Sequence, residues 1–349
     1  MLSIGVIGAG LIGRKHIARI KAHPDFNLTG IADMAVEAVS RDFPGVAVFT
    51  DYKELLAQQD LDCVIIASPN QLHADMGIAC AEAGIHTIIE KPVTDSLASA
   101  NALIEAVSKS GIKTLVGHHR RHHHQADVLK AEMARPEFGS LVGVSGVWAT
   151  HKPRSYFDAA PWRSQPGGGV ILINLIHEID FLRFTAGEIA SVSAVASSTR
   201  RGFAVEDTAA LLIEFESGAL GTFLLSDSAV SPWTTEQGVG ESVEFPFSGQ
   251  SSYRFLGSHG ALEYPEVVRW TQANGVQNWN EPVLSRSIFT QRIDPYVAQL
   301  NHFRDAIEGK VQSRQPVEDG VRTLAATLAV SEAARTGEKI EISEFYPTN

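Results

Sequence analysis

Two polar groups set in apolar surroundings hold the chemistry this chain could perform. Lys91 lies in Glu90-Lys91-Pro92, directly after the apolar run His86 to Ile89, and His177 lies inside the apolar helical stretch Val170 to Ala186. An ammonium partly withdrawn from water and set beside another positive charge loses its proton more easily, because both conditions disfavour the charged form. Such an amine can take the proton of a hydroxyl. A surface lysine paired with Glu90 is the competing reading. Upstream of His177, Gly167-Gly168-Gly169 lets a loop come close to a ligand, and Asn174, His177 and Asp180, spaced three apart, fall on neighbouring positions of one helix face. His177 could bond a hydroxyl while Asp180 or a backbone group fixes its tautomer. A satisfied core histidine is the plainer alternative in so apolar a helix. The Asn174 amide can orient a hydroxyl but carries no proton, which gives it a positioning part.

These groups need elements to position them, and the first half of the chain supplies a pattern. Leu2 to Ile7 reads as a buried strand, Gly8-Ala9-Gly10-Leu11-Ile12-Gly13 as a turn, and the following residues as a helix. On such a turn, missing side chains let backbone N–H groups and the helix N-terminus approach a pyrophosphate. The next apolar run, Leu28 to Ala32, ends at Asp33, at the spacing where a carboxylate accepts from an adenosine ribose. No cation follows directly in Met34-Ala35-Val36, so NAD is expected over NADP, although Arg14, Lys15 and Arg41 keep NADP open. Strand-like and helical runs alternate as far as Gly117, which implies parallel strands with right-handed crossovers and ligands beyond the strands' carboxyl ends. Ser68-Pro69-Asn70 and Glu90-Lys91-Pro92 both fall on that rim.

Longer strands follow, at Leu141 to Thr150, Ile189 to Ser197, Thr208 to Phe215 and Ala219 to Ser226, with a hairpin turn at Ser217-Gly218. Another hairpin spans Tyr253 to Tyr264. Helices are expected at Ile171 to Thr185, Pro295 to Glu308 and Gly320 to Thr336. The expected fold is therefore an α/β Rossmann doubly wound parallel sheet over residues 1–120, then an α+β domain with a large, mostly antiparallel open sheet over 121–349, whose last helix could pack back on the first domain. A sheet with one face uncovered seeks a partner, so a homodimer or homotetramer is expected.

Composition narrows the classes. The formal net charge of −11, without a long basic run, would repel a polyanion and argues against nucleic acid. No apolar run reaches membrane-spanning length, and no basic segment with an apolar stretch precedes the first strand. Cys63 and Cys80, the only cysteines, lie in apolar runs as small buried thiols rather than a disulfide framework. The cytoplasm, with no membrane attachment, is the expected compartment. The stretch His118 to His124 lacks a Cys or carboxylate at ligand spacing, so no metal is expected.

Together, the glycine fingerprint, Ser68-Pro69-Asn70-Gln71-Leu72-His73, Glu90-Lys91-Pro92, Trp162-Arg163, the triple glycine and His177 resemble the Gfo/Idh/MocA family of oxidoreductases over nearly the whole chain. The resemblance implies reversible NAD(P)-linked oxidation of a sugar, inositol or related hydroxyl, with Lys91 transferring the proton and His177 orienting the substrate or serving as acid/base partner. It also implies cofactor contacts from Ser68, Pro69, Asn70, His73, Glu90, Trp162, Arg163 and Tyr296, beside Gly8, Gly10, Leu11, Ile12, Gly13 and Asp33. Substrate contacts would come from Asn174, Arg163, Tyr156 and His119, with Arg120 and Arg121 as further candidates. The family places Asp four residues before the histidine, where this chain has Ile173, and Asn174 one step later takes over positioning. The expected substrate is a cyclic sugar, polyol or sugar acid. Two rival readings are an NAD-dependent glycoside hydrolase working through transient oxidation and a non-catalytic cofactor-binding regulator.

Overall fold

The structure is a computed structural model and describes residues 1–241, 245–275 and 277–346. In chain order the first elements are β1 (Leu2–Ile7), α1 (Leu11–Ala22), β2 (Phe26–Ala32), α2 (Val36–Asp42), β3 (Ala47–Phe49), α3 (Tyr52–Leu56), β4 (Cys63–Ile66), α4 (His73–Glu82), β5 (His86–Ile89), α5 (Leu97–Ser110) and β6 (Thr114–Val116). Next come α6 (His124–Met133), β7 (Leu141–Ala149), α7 (Arg154–Asp158), a π-helical turn over Ile171–Leu175, α8 (Ile176–Ala186), β8 (Ile189–Ser197), β9 (Thr208–Phe215), β10 (Leu220–Ser226) and α9 (Thr235–Val239). The chain ends with β11 (Tyr253–Gly257), β12 (Gly260–Tyr264), β13 (Val268–Gln272), β14 (Val283–Ser287), α10 (Pro295–Ile307), α11 (Val317–Thr336), β15 (Ile340–Glu341) and α12 (Ile342–Phe345). Two compact units result: Met1–His119 with Pro295–Leu324, and Arg120–Asp294 with the residues from Ala325 onward.

In the first unit, β1 to β6 form one parallel sheet in the order β3-β2-β1-β4-β5-β6. Its strands are near-continuous apolar runs because helices cover both faces. Ile4, Val6, Ile17, Ile20, Ile31, Ile65, Ile88 and Leu115 have no exposed surface, and Leu300 and Phe303 of α10 join the same core. The strand order reverses between β1 and β4, so the crevice beyond their carboxyl ends is the place where such a sheet binds a ligand.

The second unit is a mostly antiparallel sheet ordered β14-β13-β12-β11-β7-β10-β9-β8-β15, with β7 and β10 paired in parallel. Burial alternates strictly along β9, residue by residue, so one sheet face is packed and the other is open. The packed face, including Trp148, Leu211, Ile213, Phe215 and Phe223, forms one core with Leu175, Ile179 and Leu182 and with the α11 residues Ala329, Val330 and Ala333. No helix among the described residues is long and apolar enough to cross a membrane.

Candidate active site

The glycine turn lies at the switch point of the parallel sheet, and each glycine has its own physical reason. Gly8 has φ +94, and a Cβ there would come within 2.6 Å of the Ala67 carbonyl beyond β4. A Cβ on Gly13 would lie 1.9 Å from the Gly8 carbonyl, so only glycine lets α1 start this close to β1. Gly10 differs: a Cβ there would meet nothing within 4 Å. Its backbone borders open space at the start of α1, where no side chain caps the helix and Leu11 is exposed. Ile12 is half-buried. Asp33, at the end of β2, accepts from Ala9 N–H at 2.7 Å on Oδ2 and from Ala35 N–H at 2.8 Å on Oδ1. A carboxylate oxygen has two lone pairs, so each keeps capacity for a ribose hydroxyl. The residues present therefore fit a dinucleotide: an uncapped helix start, a glycine that leaves room, and a fixed acid beside it.

On the same rim, Lys91 follows β5 and is half-buried, with a cis peptide to Pro92. Its backbone N–H donates to Glu90 Oε2 at 3.2 Å, and Glu90 Oε1 lies 2.7 Å from His16 Nε2. Burial pushes the Glu90 carboxyl upward, but the His16 hydrogen bond and the charges of His16, His119 and Lys91 outweigh it and hold the group below its ordinary value. Gly117 makes the room, since a Cβ there would come within 2.8 Å of that carboxyl group. His119 stacks on Tyr296 at 4.7 Å, and His16 meets the edge of that ring at 5.3 Å. His119 and Tyr296, expected against ligand, are both buried with their rings packed together.

His73 was expected against the cofactor. It has no exposed surface; its Nδ1 lies 2.8 Å from the Pro92 carbonyl and its Nε2 3.0 Å from the Ser68 carbonyl. Burial lowers its pKa, against those two backbone bonds. The imidazole thus ties the β4 loop to the Lys91 loop. Along the first of those loops Ser68 and Asn70 are half-buried and Pro69 is exposed.

In the second unit the stretch expected as continuous helix begins with the π-helical turn, and π turns often sit at functional sites. Asn174 is buried within it, whereas Ile173 is only half-buried. His177 is half-buried in the first turn of α8. Two of the three glycines before this segment serve the protein rather than a ligand: a Cβ on Gly168 would lie 2.6 Å from the Arg163 carbonyl, and one on Gly169 2.4 Å from the Glu206 carboxylate. That carboxylate accepts from Ile171 N–H at 2.9 Å and so anchors the π turn. Asp180, considered for the His177 tautomer, takes both arms of Arg121, Nε at 2.8 Å and Nη2 at 2.6 Å, in a buried ion pair. Arg120 is likewise held, between Glu178 and Glu236, so neither arginine is presented to a ligand. Arg163 donates to the Tyr156 carbonyl at 2.6 Å and lies 3.9 Å over the half-buried Tyr156 ring, beside the exposed Trp162.

Sequence reasoning did not single out Lys152, which lies in the connection after β7. It is nine-tenths buried and donates to Asn174 Oδ1 at 2.6 Å, with Asp227 Oδ2 at 3.6 Å. Burial lowers the Lys152 pKa from 10.5 to about 8, against the opposing pull of Asp227. Between pH 8 and pH 10.5 the unfolded chain therefore holds a proton the folded chain has shed, and stability rises with pH across that window. Lys152→Met removes this titration. Stability of the native chain relative to this variant is expected to climb by about 3 kcal/mol from the lower to the upper limit, measured by urea unfolding, and a flat difference would refute it.

Residues His118 to His123 are buried, and among the described residues no group of three or more His, Cys, Asp or Glu is placed to hold a metal ion. Cys63 and Cys80 are buried free thiols; burial pushes Cys63 upward and Cys80 up to about 12, which leaves both unreactive.

A glycine turn at the switch point of a doubly wound sheet, followed by an acid at the end of the second strand, is the frame of a dinucleotide-binding protein of the Rossmann class. Residues 2–118 match the model described as "Oxidoreductase family, NAD-binding Rossmann fold", and residues 128–263 match the GFO/IDH/MocA C-terminal domain. The chain belongs to the GFO/IDH/MocA family of oxidoreductases. It is 28% identical to a 1,5-anhydro-D-fructose reductase of Ensifer adhaerens, covering 95% of this chain and 98% of that protein. It is also 29% identical to the myo-inositol 2-dehydrogenase of Thermotoga maritima, over 66% of this chain and 70% of that one. Among solved structures, the WlbA dehydrogenase from Bordetella pertussis, in complex with NADH and UDP-GlcNAcA, superposes with a TM-score of 0.78 at 22% identity, covering 100% of this chain and 99% of that chain, which supports the fold alone.

Proposed function

We propose that this oxidoreductase moves hydride between NAD and a secondary alcohol of a cyclic sugar, polyol or sugar acid, with Lys91 exchanging the hydroxyl proton. The observation that carries the reading is Lys91 itself, fixed by Glu90 and by His73 on the rim that also bears the open face of Gly10. The nicotinamide supplies a hydride acceptor when bound. Gly8, Gly10, Leu11, Ile12, Gly13, Ser68, Pro69, Asn70 and Asp33 hold the dinucleotide, and Glu90 keeps a negative charge behind the Lys91 backbone. Trp162 borders the cofactor, and Arg163 and Tyr156 border the substrate. His177 and Asn174 orient the substrate hydroxyls so that the reacting carbon is held in one pose. The relatives named for anhydrofructose and myo-inositol support a cyclic polyol framework. NAD is favoured over NADP because the fixed Asp33 carboxylate repels a 2′-phosphate and the Arg14 guanidinium is already paired with Asp42 at 2.8 Å. A panel of sugars, inositols and sugar acids, assayed for NADH and NADPH formation, tests this. Absence of reduced cofactor across the panel would refute the reading.

The open face of the second sheet supports a homodimer or homotetramer. Leu212 and Leu220, each 62% exposed, and Leu224, 45% exposed, stand on adjacent strands with Ala210 paired to Leu224. An open sheet face that exposes leucines in this way is buried between copies when the chain self-associates. The solution mass is expected to be two or four times 37.7 kDa, and Leu212→Lys combined with Leu224→Lys is expected to reduce it. A monomeric native chain in light scattering would end this proposal. Buried unbridged cysteines suit the cytoplasm.

A further inference from the structure

We infer that Lys152 is a positioning residue of the substrate site, and that it fits the site to a sugar acid in preference to the corresponding neutral sugar. The inference rests on the reading that Asn174 and His177 address the substrate. An ammonium has donors only, so the Asn174 atom that faces Lys152 at 2.6 Å must be the amide oxygen. The amide nitrogen is thereby turned the other way, and no acceptor among the described residues takes its hydrogens. Asn174 is fixed as a donor. A group that meets it must accept, as a carboxylate does with every lone pair it has.

The charges around Asn174 point the same way. Lys152 lies 4.8 Å over the Tyr156 ring and Arg163 3.9 Å from the same ring, so two cations share one aromatic side chain. Asp227 is the carboxylate within ion-pair distance of Lys152, at 3.6 Å, and Arg201 Nε holds it more closely, at 2.6 Å. Arg163 has no carboxylate within 4 Å among the described residues. Two cations thus share one ring beside the fixed donor, while Asp227 and Glu236 are the acids that act on Lys152. A buried ammonium is costly to keep, and an anionic ligand group offsets that cost where a hydroxyl would not.

The test is calorimetric binding of matched probes, D-glucuronate against D-glucose and D-galactonate against galactitol, to the Lys91→Met chain saturated with NADH, so that turnover plays no part. At least one acid is expected to bind about tenfold or more tightly than its neutral partner. Adding Lys152→Met is expected to abolish that preference with NADH affinity unchanged, and Lys152→Arg to restore part of it, whereas a merely structural lysine would weaken acid and neutral probe alike. Equal binding of each pair, no binding of either acid, or a preference that survives Lys152→Met overturns the inference. Turnover of neutral sugars without acid preference would overturn this inference alone. Acid binding by the chain with Lys91 intact, with no NADH formed from any sugar, would overturn the dehydrogenase reading alone.

Discussion

Lys91→Met is expected to slow turnover by about 10³-fold while NAD affinity stays within about twofold, since a positioned general base contributes roughly 10²- to 10⁴-fold. The methionine keeps the length of the side chain and leaves the local frame intact, because Lys91 is tied to Glu90 through its backbone N–H and Pro92 to His73 through its carbonyl. What is lost is the amine. Lys91→Arg separates charge from proton transfer: the guanidinium keeps the positive charge but does not deprotonate in a protein. It should therefore be nearly as slow as the methionine variant. Steady-state NADH formation together with cofactor binding by fluorescence reads both. A Lys91→Arg enzyme of near-native rate would show that charge alone is required, and a Lys91→Met enzyme of near-native rate would remove Lys91 from the chemistry.

The sheet of the first unit was legible because buried parallel strands are short, continuous apolar runs between turn signals. The run His86 to Ile89 became β5 with the bounds expected, and β8 and β9 did likewise in the second unit. Strands β13 and β14 were not legible. The exposed Val283–Ser287 is the edge strand and the half-buried Val268–Gln272 lies next to it, and neither shows an alternation of buried and exposed residues. Helix α6 was hidden behind the histidine run and its own polar composition. In the candidate site, Lys91 and His177 could be found from neighbouring residues, whereas Lys152 could not: its partner Asn174 is 22 residues away and Asp227 lies on another connection. Arg120 and Arg121 read as free cations for the same reason, since their acids are 58 or more residues distant. Pairings across such separations leave no periodic trace in the chain.

The Arg120 pairing predicts the largest stability effect. Arg120 has almost no exposed surface and donates to Glu178 through Nη1 and to Glu236 Oε1 through Nη2 at 2.5 Å. Tyr253 donates its hydroxyl to the other Glu178 oxygen, and Trp148 Nε1 donates to Glu236 Oε2 at 3.0 Å. In Arg120→Leu these two neutral donors remain, but two buried carboxylates lose their counter-charge, which costs about 3–5 kcal/mol. Against a usual total of roughly 5–15 kcal/mol, that lowers the melting temperature by on the order of 10 °C. The effect should depend on pH. Burial already raises the Glu178 carboxyl above its ordinary value, with Arg120 pulling it down and Glu236 pushing it up. Without Arg120 it rises further, so the folded variant holds a proton that the unfolded chain has released, and its stability is greatest at low pH and lost as pH rises through the folded value. The gap between native and variant melting temperatures should thus narrow from about pH 8 to about pH 5.5, and Glu178→Gln added to Arg120→Leu should recover part of the loss at the higher pH. A gap that is constant with pH, together with no recovery in the double variant, would mean that packing around the Arg120 side chain, rather than its charge, holds β7, α8 and α9 together. Because Glu178 follows His177 directly in α8, that same charge pairing fixes the turn from which the imidazole projects.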